Sequence, residues 1–439
     1  MLMTVLNLAP APLATTAPSR LPRAPQRLED SGLDFFFLIE LLVKHLALGG
    51  QLRLPELAAR TKLPFSVLEA LLAFMRSERL CEVVRRGETE GALAYTLTDL
   101  GRMRGHDFLE RSQYAGPAPV SLTAYVQQVQ AQSVVDMGVT REALHSAFSG
   151  VVVGEHLLNQ FGAAMNSGRA IFVYGPPGSG KTYISERLAG LLSGDVAVPY
   201  AIVVDNEIIQ IFDPVVHEPV VQSNNAKGLL DLGQREDARW QLCRRPVVLT
   251  GAELTLAMVD LEFDEKARFY QAPPQVKANN GLFIVDDLGR QLVKPQDLMN
   301  RWIVPLDRRV DYLALHTGKK FQIPFDVIVV FSSNLPPSKL ADDAFLRRLG
   351  YKIYVGPLPE HEYRGIFRQV CEEMQIPFTE AGYRHLLEAH HERTSTPLLA
   401  CLPRDIVRQV RDIARFDGMA PELSPKLLDW AWNNYFARD

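Results

Sequence analysis

Two stretches of the sequence could together handle a phosphate chain and a metal ion. The first is Gly175-Pro176-Pro177-Gly178-Ser179-Gly180-Lys181-Thr182, which satisfies G-x-x-x-x-G-K-[ST]. Gly178 and Gly180 let the backbone curl, so that consecutive N–H groups point at phosphate oxygens. A helix starting where the loop ends adds positive potential. Lys181 is then expected on the β- and γ-phosphates of a nucleoside triphosphate, and the Thr182 hydroxyl on Mg²⁺. The second stretch is "GLFIVDDLGR", residues 281–290, in which an apolar run ends in Asp286 and Asp287. An isolated pair of aspartates most simply opens a polar turn. Beside a phosphate loop the pair has a task. Asp286 is expected to hold Mg²⁺ with Thr182, directly or through water, and Asp287 to orient or deprotonate the water that attacks the γ-phosphate.

These side chains need a scaffold that brings them to one place. Residues 171–174 read as a buried strand feeding the loop, followed by a helix with Ile184, Leu188 and Leu191 turned inward. Residues 282–285 read as a strand buried on both faces, and ligands of open α/β sheets bind beyond the C-terminal strand ends. From residue 140 strands and helices alternate, as in an α/β domain, and 359–439 contain helical patterns only. Upstream, residues 33–48, "LPELAARTKL" and "PFSVLEALLAFMRSERL" read as helices, and "CEVVRRGETEGALAYTLTDLGR" as a β-hairpin with a Gly-rich turn.

Bulk properties narrow the rest. The chain has 439 residues, 47% hydrophobic and 22% charged, enough for two or three globular domains. A formal net charge of −4 gives no global drive toward nucleic acid or anionic membrane. Four dispersed cysteines suggest neither a zinc site nor a disulfide framework and fit a reduced, cytoplasmic location. No apolar run approaches the roughly 18 residues needed to span a bilayer. The opening residues could pass for a signal peptide, but they lack a charged start and proline interrupts their apolar part. Residues 1–30 are read instead as a disordered Pro/Ala-rich tail. His385, His390 and His391 have no cysteine or carboxylate set arranged beside them as ligands, and are read as a solvated surface.

With its strand and helix, "GPPGSGKT" resembles the AAA+ ATPases, over residues 140–439. The resemblance implies a P-loop NTPase core over 140–358 and a helical lid over 359–439. It places Val152, Val153 and Gly154 near the adenine, and Asn334, at the end of "VIVVFSSN", as the sensor 1 residue. It makes Arg348, with Arg347 as second choice, the arginine finger, and Arg404 in "LPRDIVRQVRDIA" the sensor 2 residue. Read singly, Asn334 could be a strand cap and each arginine a solvated surface charge. The hairpin expected in 301–334 and the approach "FYQAPPQVKANNGLFIVDD" resemble the MoxR, magnesium-chelatase and enhancer-dependent activator branch.

Two features depart from that pattern. Asp287 stands where glutamate is usual, with a carboxylate about 1.5 Å further back, and a misplacement of about 1 Å can cost on the order of 10²-fold in rate. Residues 195–247 form an insertion, with a hairpin around Asp205-Asn206 that either thickens the core or docks a partner. Residues 31–105 resemble a winged-helix domain joined by a helical connector over 106–139. Its third helix offers Ser66 and Glu69 where a major-groove reader needs Arg, Lys, Asn or Gln, which favours a protein partner, while Arg85 and Arg86 keep DNA open.

The resemblance implies ATP and Mg²⁺ as ligands and a finger arginine supplied by a neighbouring copy. That means a ring or filament, with a homo-hexamer expected. Aromatic Phe269-Tyr270 and the Lys319-Lys320 hairpin would lie near the pore, though core packing explains the aromatics equally well. The expected function is ATP-driven remodelling of protein complexes. The alternatives are a DNA-associated ATPase of transposition, restriction or transcription regulation, or a slow nucleotide-dependent switch.

Overall fold

The computed structural model describes residues 21–85, 93–220, 236–340 and 342–436. Its centre is a five-stranded, all-parallel sheet. The order is Val247–Thr250, Leu282–Val285, Ile328–Ser333, Ile171–Tyr174, Tyr351–Tyr354. Every residue of Leu282–Val285 is buried because alternate side chains enter two different layers. Leu282 and Ile284 pack with Phe161, Ile171 and Leu188. Phe283 and Val285 pack on the opposite face with Trp302, Phe172 and Phe331. Val285 pairs with Phe331, and Ser333 with Tyr174. That register delivers Gly175, Asp286-Asp287 and Asn334 to the same edge of the sheet.

A second five-stranded sheet lies in the order Glu262–Asp264, Phe269–Gln271, Glu207–Gln210, Ala201–Val204, Val120–Ser121. The expected hairpin is its middle, and both turn residues, Asp205 and Asn206, have positive φ (55° and 65°), as a two-residue hairpin turn requires. This sheet shares a core with Tyr125, Trp240, Leu313 and Ile323. Phe269 and Tyr270 sit in one of its strands. Tyr270 is 1% exposed and Phe269 meets Tyr114 edge to face at 5.4 Å, so core packing is the reading that holds. The hairpin Val310–Ala314 with Lys320–Pro324 forms as expected, and its turn carries Lys319, ion-paired to Asp205.

At the N-terminal side, Phe35–Gly49, Leu54–Thr61 and Phe65–Ser77 are helices, against an antiparallel sheet of Leu52–Arg53, Leu93–Leu97 and Cys81–Arg85. Arg86 and the hairpin tip lie outside the described residues. Helix Asp99–Arg111 returns onto the first helix through Gly105, where a Cβ would sit 3.1 Å from that of Ala47. This unit therefore runs past the expected boundary at 105. A second correction concerns the tail. Residues 21–30 are packed: Arg23 bridges Glu236, while Leu21 and Leu28 lie against the two neighbouring cores. The buried Arg239, paired with Asp237, also donates to the Ser31 carbonyl at 2.9 Å and pins the chain there.

The C-terminal segment comprises helices Glu360–Glu373, Glu380–His385, Leu402–Phe416 and Pro425–Tyr435, with a π-helical turn over Leu386–Glu392, around its own apolar core. Among the described residues no helix is long and apolar enough to cross a membrane.

The approach to Leu282–Val285 is held by a buried polar staple. His217 Nδ1 accepts from the Asp213 amide at 2.9 Å, its Nε2 donates to the Lys277 carbonyl at 2.9 Å, and Lys277 pairs with Asp213 at 2.8 Å. Burial pushes the His217 imidazole down to about 4, so it folds neutral. An unfolded imidazole titrates near 6.5, so below that pH the unfolded chain takes up a proton that the folded one refuses. His217 should leave stability untouched above pH 6.5 and erode it as pH falls toward 4. Urea midpoints measured across that range should decline, and should decline less in His217→Gln.

Candidate functional site

The phosphate loop leaves strand Ile171–Tyr174 and ends at helix Lys181–Arg187, whose N-cap, Gly180, has φ +93°. Gly175 (φ +154°) admits no side chain, because a Cβ would lie 1.9 Å from the Val355 carbonyl oxygen. Gly178 (φ +80°) would place a Cβ 2.5 Å from Cys401 Sγ, and its carbonyl accepts from the Cys401 amide at 3.0 Å. The loop is thus pressed between the sheet and the C-terminal helices, and both constraints demand glycine.

Five predicted side chains meet at its end. Lys181 Nζ donates to the Pro176 carbonyl at 2.9 Å and to Asn334 Oδ1 at 2.8 Å. Asn334 Nδ2 in turn donates to Asp287 Oδ1 at 3.0 Å. Across from it, Thr182 Oγ1 donates to Asp286 Oδ2 at 2.9 Å. The other Asp286 oxygen, Oδ1, is buried and without a hydrogen-bond partner. A buried carboxylate oxygen left over beside a hydroxyl is the donor set a hard divalent cation takes, so Thr182 and Asp286 fit Mg²⁺. Burial pulls the Lys181 ammonium below its ordinary range, while Asp287 and Asp286 pull the other way. Burial, and then Asp286, push the nearby Glu186 carboxyl up. The site is an electropositive loop facing a carboxylate pair, in a setting that penalises unpaired charge.

Asp287 has a left-handed backbone, φ +48°, which costs most side chains on the order of 1 kcal/mol but is tolerated by aspartate. The turn is locked on both sides, by the Asp286 amide on the Thr250 carbonyl at 2.8 Å and by the Leu288 amide on the Ser332 carbonyl at 2.7 Å. The shorter acid therefore has a local physical reason: it suits the turn and is already gripped by Asn334.

A cavity of about 1040 Å³ opens beside the loop, between residues 150–154 and the C-terminal helices. Pro177 to Thr182, Val153, Asp287, Asn334 and Arg404 line it. Ser179 is buried, with a hydroxyl lacking a partner. Gly175 and Pro176 lie behind this wall, acting through packing and through the Lys181 contact. Arg404 sits on helix Leu402–Phe416 and is paired with Glu373 at 2.7 Å, also on the cavity wall. Arg347 and Arg348 do not line the cavity. Arg347 is exposed, and Arg348 lies 3.3 Å from Asp307.

Among the lining residues that the sequence reading did not anticipate are two charged ones, Arg290 and Glu373. Arg290 reaches the cavity three positions after Asp287, a spacing visible in "DDLGR". Glu373 had no local signal, since it meets Arg404 only through the packing of two helices.

Asn334→Ala would remove the one group that holds both Lys181 and Asp287. Turnover of a nucleoside triphosphate should drop by about 10²-fold, the scale of a misplaced catalytic group, with a much smaller change in nucleotide affinity. Steady-state kinetics beside calorimetric titration separate the two.

Comparison with known proteins adds the following. Residues 359–434 match the family described as Domain of unknown function (DUF8689). No curated protein matches the sequence. Among solved structures, NtrX from Brucella abortus in complex with ADP is 16% identical, with a TM-score of 0.39 over 65% of this chain and 56% of its own. The chain thus spans a little over half the length of NtrX. The Thermotoga maritima RuvB Holliday junction branch migration motor is 11% identical, with a TM-score of 0.35 over 70% of this chain and 72% of its own. The parallel sheet, with the glycine loop leaving one of its inner strands and the acidic turn beside it, is a P-loop NTPase fold.

Proposed function

We propose that the chain is an AAA+ ATPase that binds ATP with Mg²⁺, hydrolyses it, and uses the resulting motion within an oligomeric ring to remodel protein complexes. The observation that carries the first half of this reading is the Lys181–Asn334–Asp287 chain of hydrogen bonds beside the Thr182–Asp286 pair. Loop amides and Lys181 bind the phosphates. Thr182 and Asp286 would hold Mg²⁺, which neutralises phosphate charge when bound. Asp287, positioned by Asn334, accepts the proton of the attacking water and is the general base. Val153 lines the same cavity, and the base would lie against it.

Assembly is supported by the arginines. Arg347 and Arg348 lie away from the chain's own cavity, so a finger role for either needs a neighbouring copy, where it would stabilise the transition state by about 10³–10⁵ in rate. Arg404, on the lid and facing the cavity, is placed to exchange Glu373 for a γ-phosphate and so report nucleotide state to the lid.

The choice of a protein partner over DNA is supported by helix Phe65–Ser77. Its exposed face carries Phe65, Ser66, Glu69, Ala70, Ala73 and Arg76, one cation offset by one acid among small and apolar groups, where phosphates and base edges would need several cations and amides.

Lys181→Ala should abolish turnover of ATP by the purified chain; persistence of that activity would refute the catalytic reading. Asp287→Glu should slow it, because the left-handed turn and Asn334 are built around the shorter acid. Faster turnover in that variant would mark Asp287 as a brake and favour a slow nucleotide switch. DNA that stimulates turnover, with a steep loss on adding salt, would move the partner from protein to nucleic acid.

A further inference from the structure

The C-terminal helices hold a second cluster of ligating groups, remote in sequence from the phosphate loop. Nε2 of His385 and Nε2 of His390 each lie 2.7 Å from Asp429 Oδ1. The three ligand atoms all fall within 4.8 Å of one another. The expectation of a solvated histidine surface fails here, because helix Pro425–Tyr435 brings a carboxylate that the local sequence around the histidines does not contain.

The backbone explains how the imidazoles meet. Residues five apart on an α-helix point about 140° away from each other. The segment Leu386–Glu392 is instead π-helical, and its wider turn brings positions 385 and 390 onto one face. Such turns are less favourable than α-helix and occur often at functional sites. The ring planes are fixed as well: His390 stacks on Trp432 at 4.9 Å, and His385 meets His390 edge to face at 5.6 Å. His390 is buried, while His385 and Asp429 are partly open to solvent and leave an approach from outside. The neighbouring His391 takes no part, being committed to the Tyr363 hydroxyl and the Thr396 carbonyl.

We infer that His385, His390 and Asp429 form a binding site for a borderline divalent cation, zinc being the best match, with water completing the coordination. Two imidazole nitrogens and one carboxylate oxygen are the ligand types zinc takes, at about 2.0–2.2 Å each. Four-coordinate geometry places such donors about 3.3 Å apart, so the two 2.7 Å contacts need open by about 0.6 Å, and the two imidazole nitrogens, within 4.8 Å of each other, must settle at the same spacing. The all-oxygen pair at Thr182 and Asp286 favours Mg²⁺, so the two sites differ in ligand chemistry. The inference is independent of the ATPase reading. The cation would tie the π turn to the last helix, whose Tyr435 hydroxyl lies 3.9 Å from the Cys401 Sγ.

The test is calorimetric titration of the full-length, nucleotide-free chain with Zn²⁺ in excess Mg²⁺, with Co²⁺ as an optical probe. One strong site should appear, with the intense visible absorption of four-coordinate cobalt. His385→Ala and Asp429→Asn should each weaken it by at least about tenfold. X-ray absorption of the zinc-loaded wild-type chain should count two imidazoles, and that readout does not depend on any variant folding. Absence of a strong site in wild type, unchanged binding in either folded variant, or a first shell without imidazole would overturn the assignment and leave a hydrogen-bonded histidine–aspartate cluster alone. ATP turnover that survives loss of the zinc site, or the reverse, distinguishes this inference from the proposed function.

Discussion

The structure is organised around one electrostatic problem: a buried ammonium and two carboxylates must coexist at the edge of an apolar sheet. Lys181 loses solvation where it stands, and neither Asp286 nor Asp287 touches it directly as a simple ion pair would. Asn334 resolves the conflict by accepting from the cation with its oxygen and donating to Asp287 with its nitrogen. A neutral amide thereby links opposite charges without letting them collapse onto each other.

Much of the remaining architecture serves that arrangement. The strand bearing the aspartates is apolar on both faces because only a strand locked between two cores can fix two charges at its tip. Gly175 and Gly281 allow backbone approaches that any side chain would block, one against Val355 and one against the Pro246 carbonyl. The second sheet feeds two cores: Ala201 and Ile208 pack with the N-terminal helices, while Ile202 and Ile209 pack with Tyr125 and Trp240.

What the sequence disclosed follows from the range of the interactions involved. The loop, its strand and its helix are contiguous, so local chemistry revealed all three. The central strands were legible because a run such as Leu282–Val285, buried on both faces, has few alternatives. The Asp205-Asn206 turn declared itself through residue types that tolerate positive φ. Legibility failed where distant segments meet. Nothing near residues 21–30 signals that Arg239 anchors them, and the sequence leaves Phe269-Tyr270 open between a pore loop and core packing, a choice decided by the distant Tyr114 against Phe269 and by the burial of Tyr270. The histidines looked idle because Asp429, and the π turn that aligns them, belong to tertiary packing and helix irregularity that periodicity does not encode.

The contact between Gly178 and Cys401 has a mechanical meaning. Lid and loop are joined backbone to backbone, and the absence of a side chain at Gly178 is what lets them touch. Any displacement of the C-terminal helices must therefore carry the glycine turn with it or break that bond, so the two segments are mechanically coupled at this point.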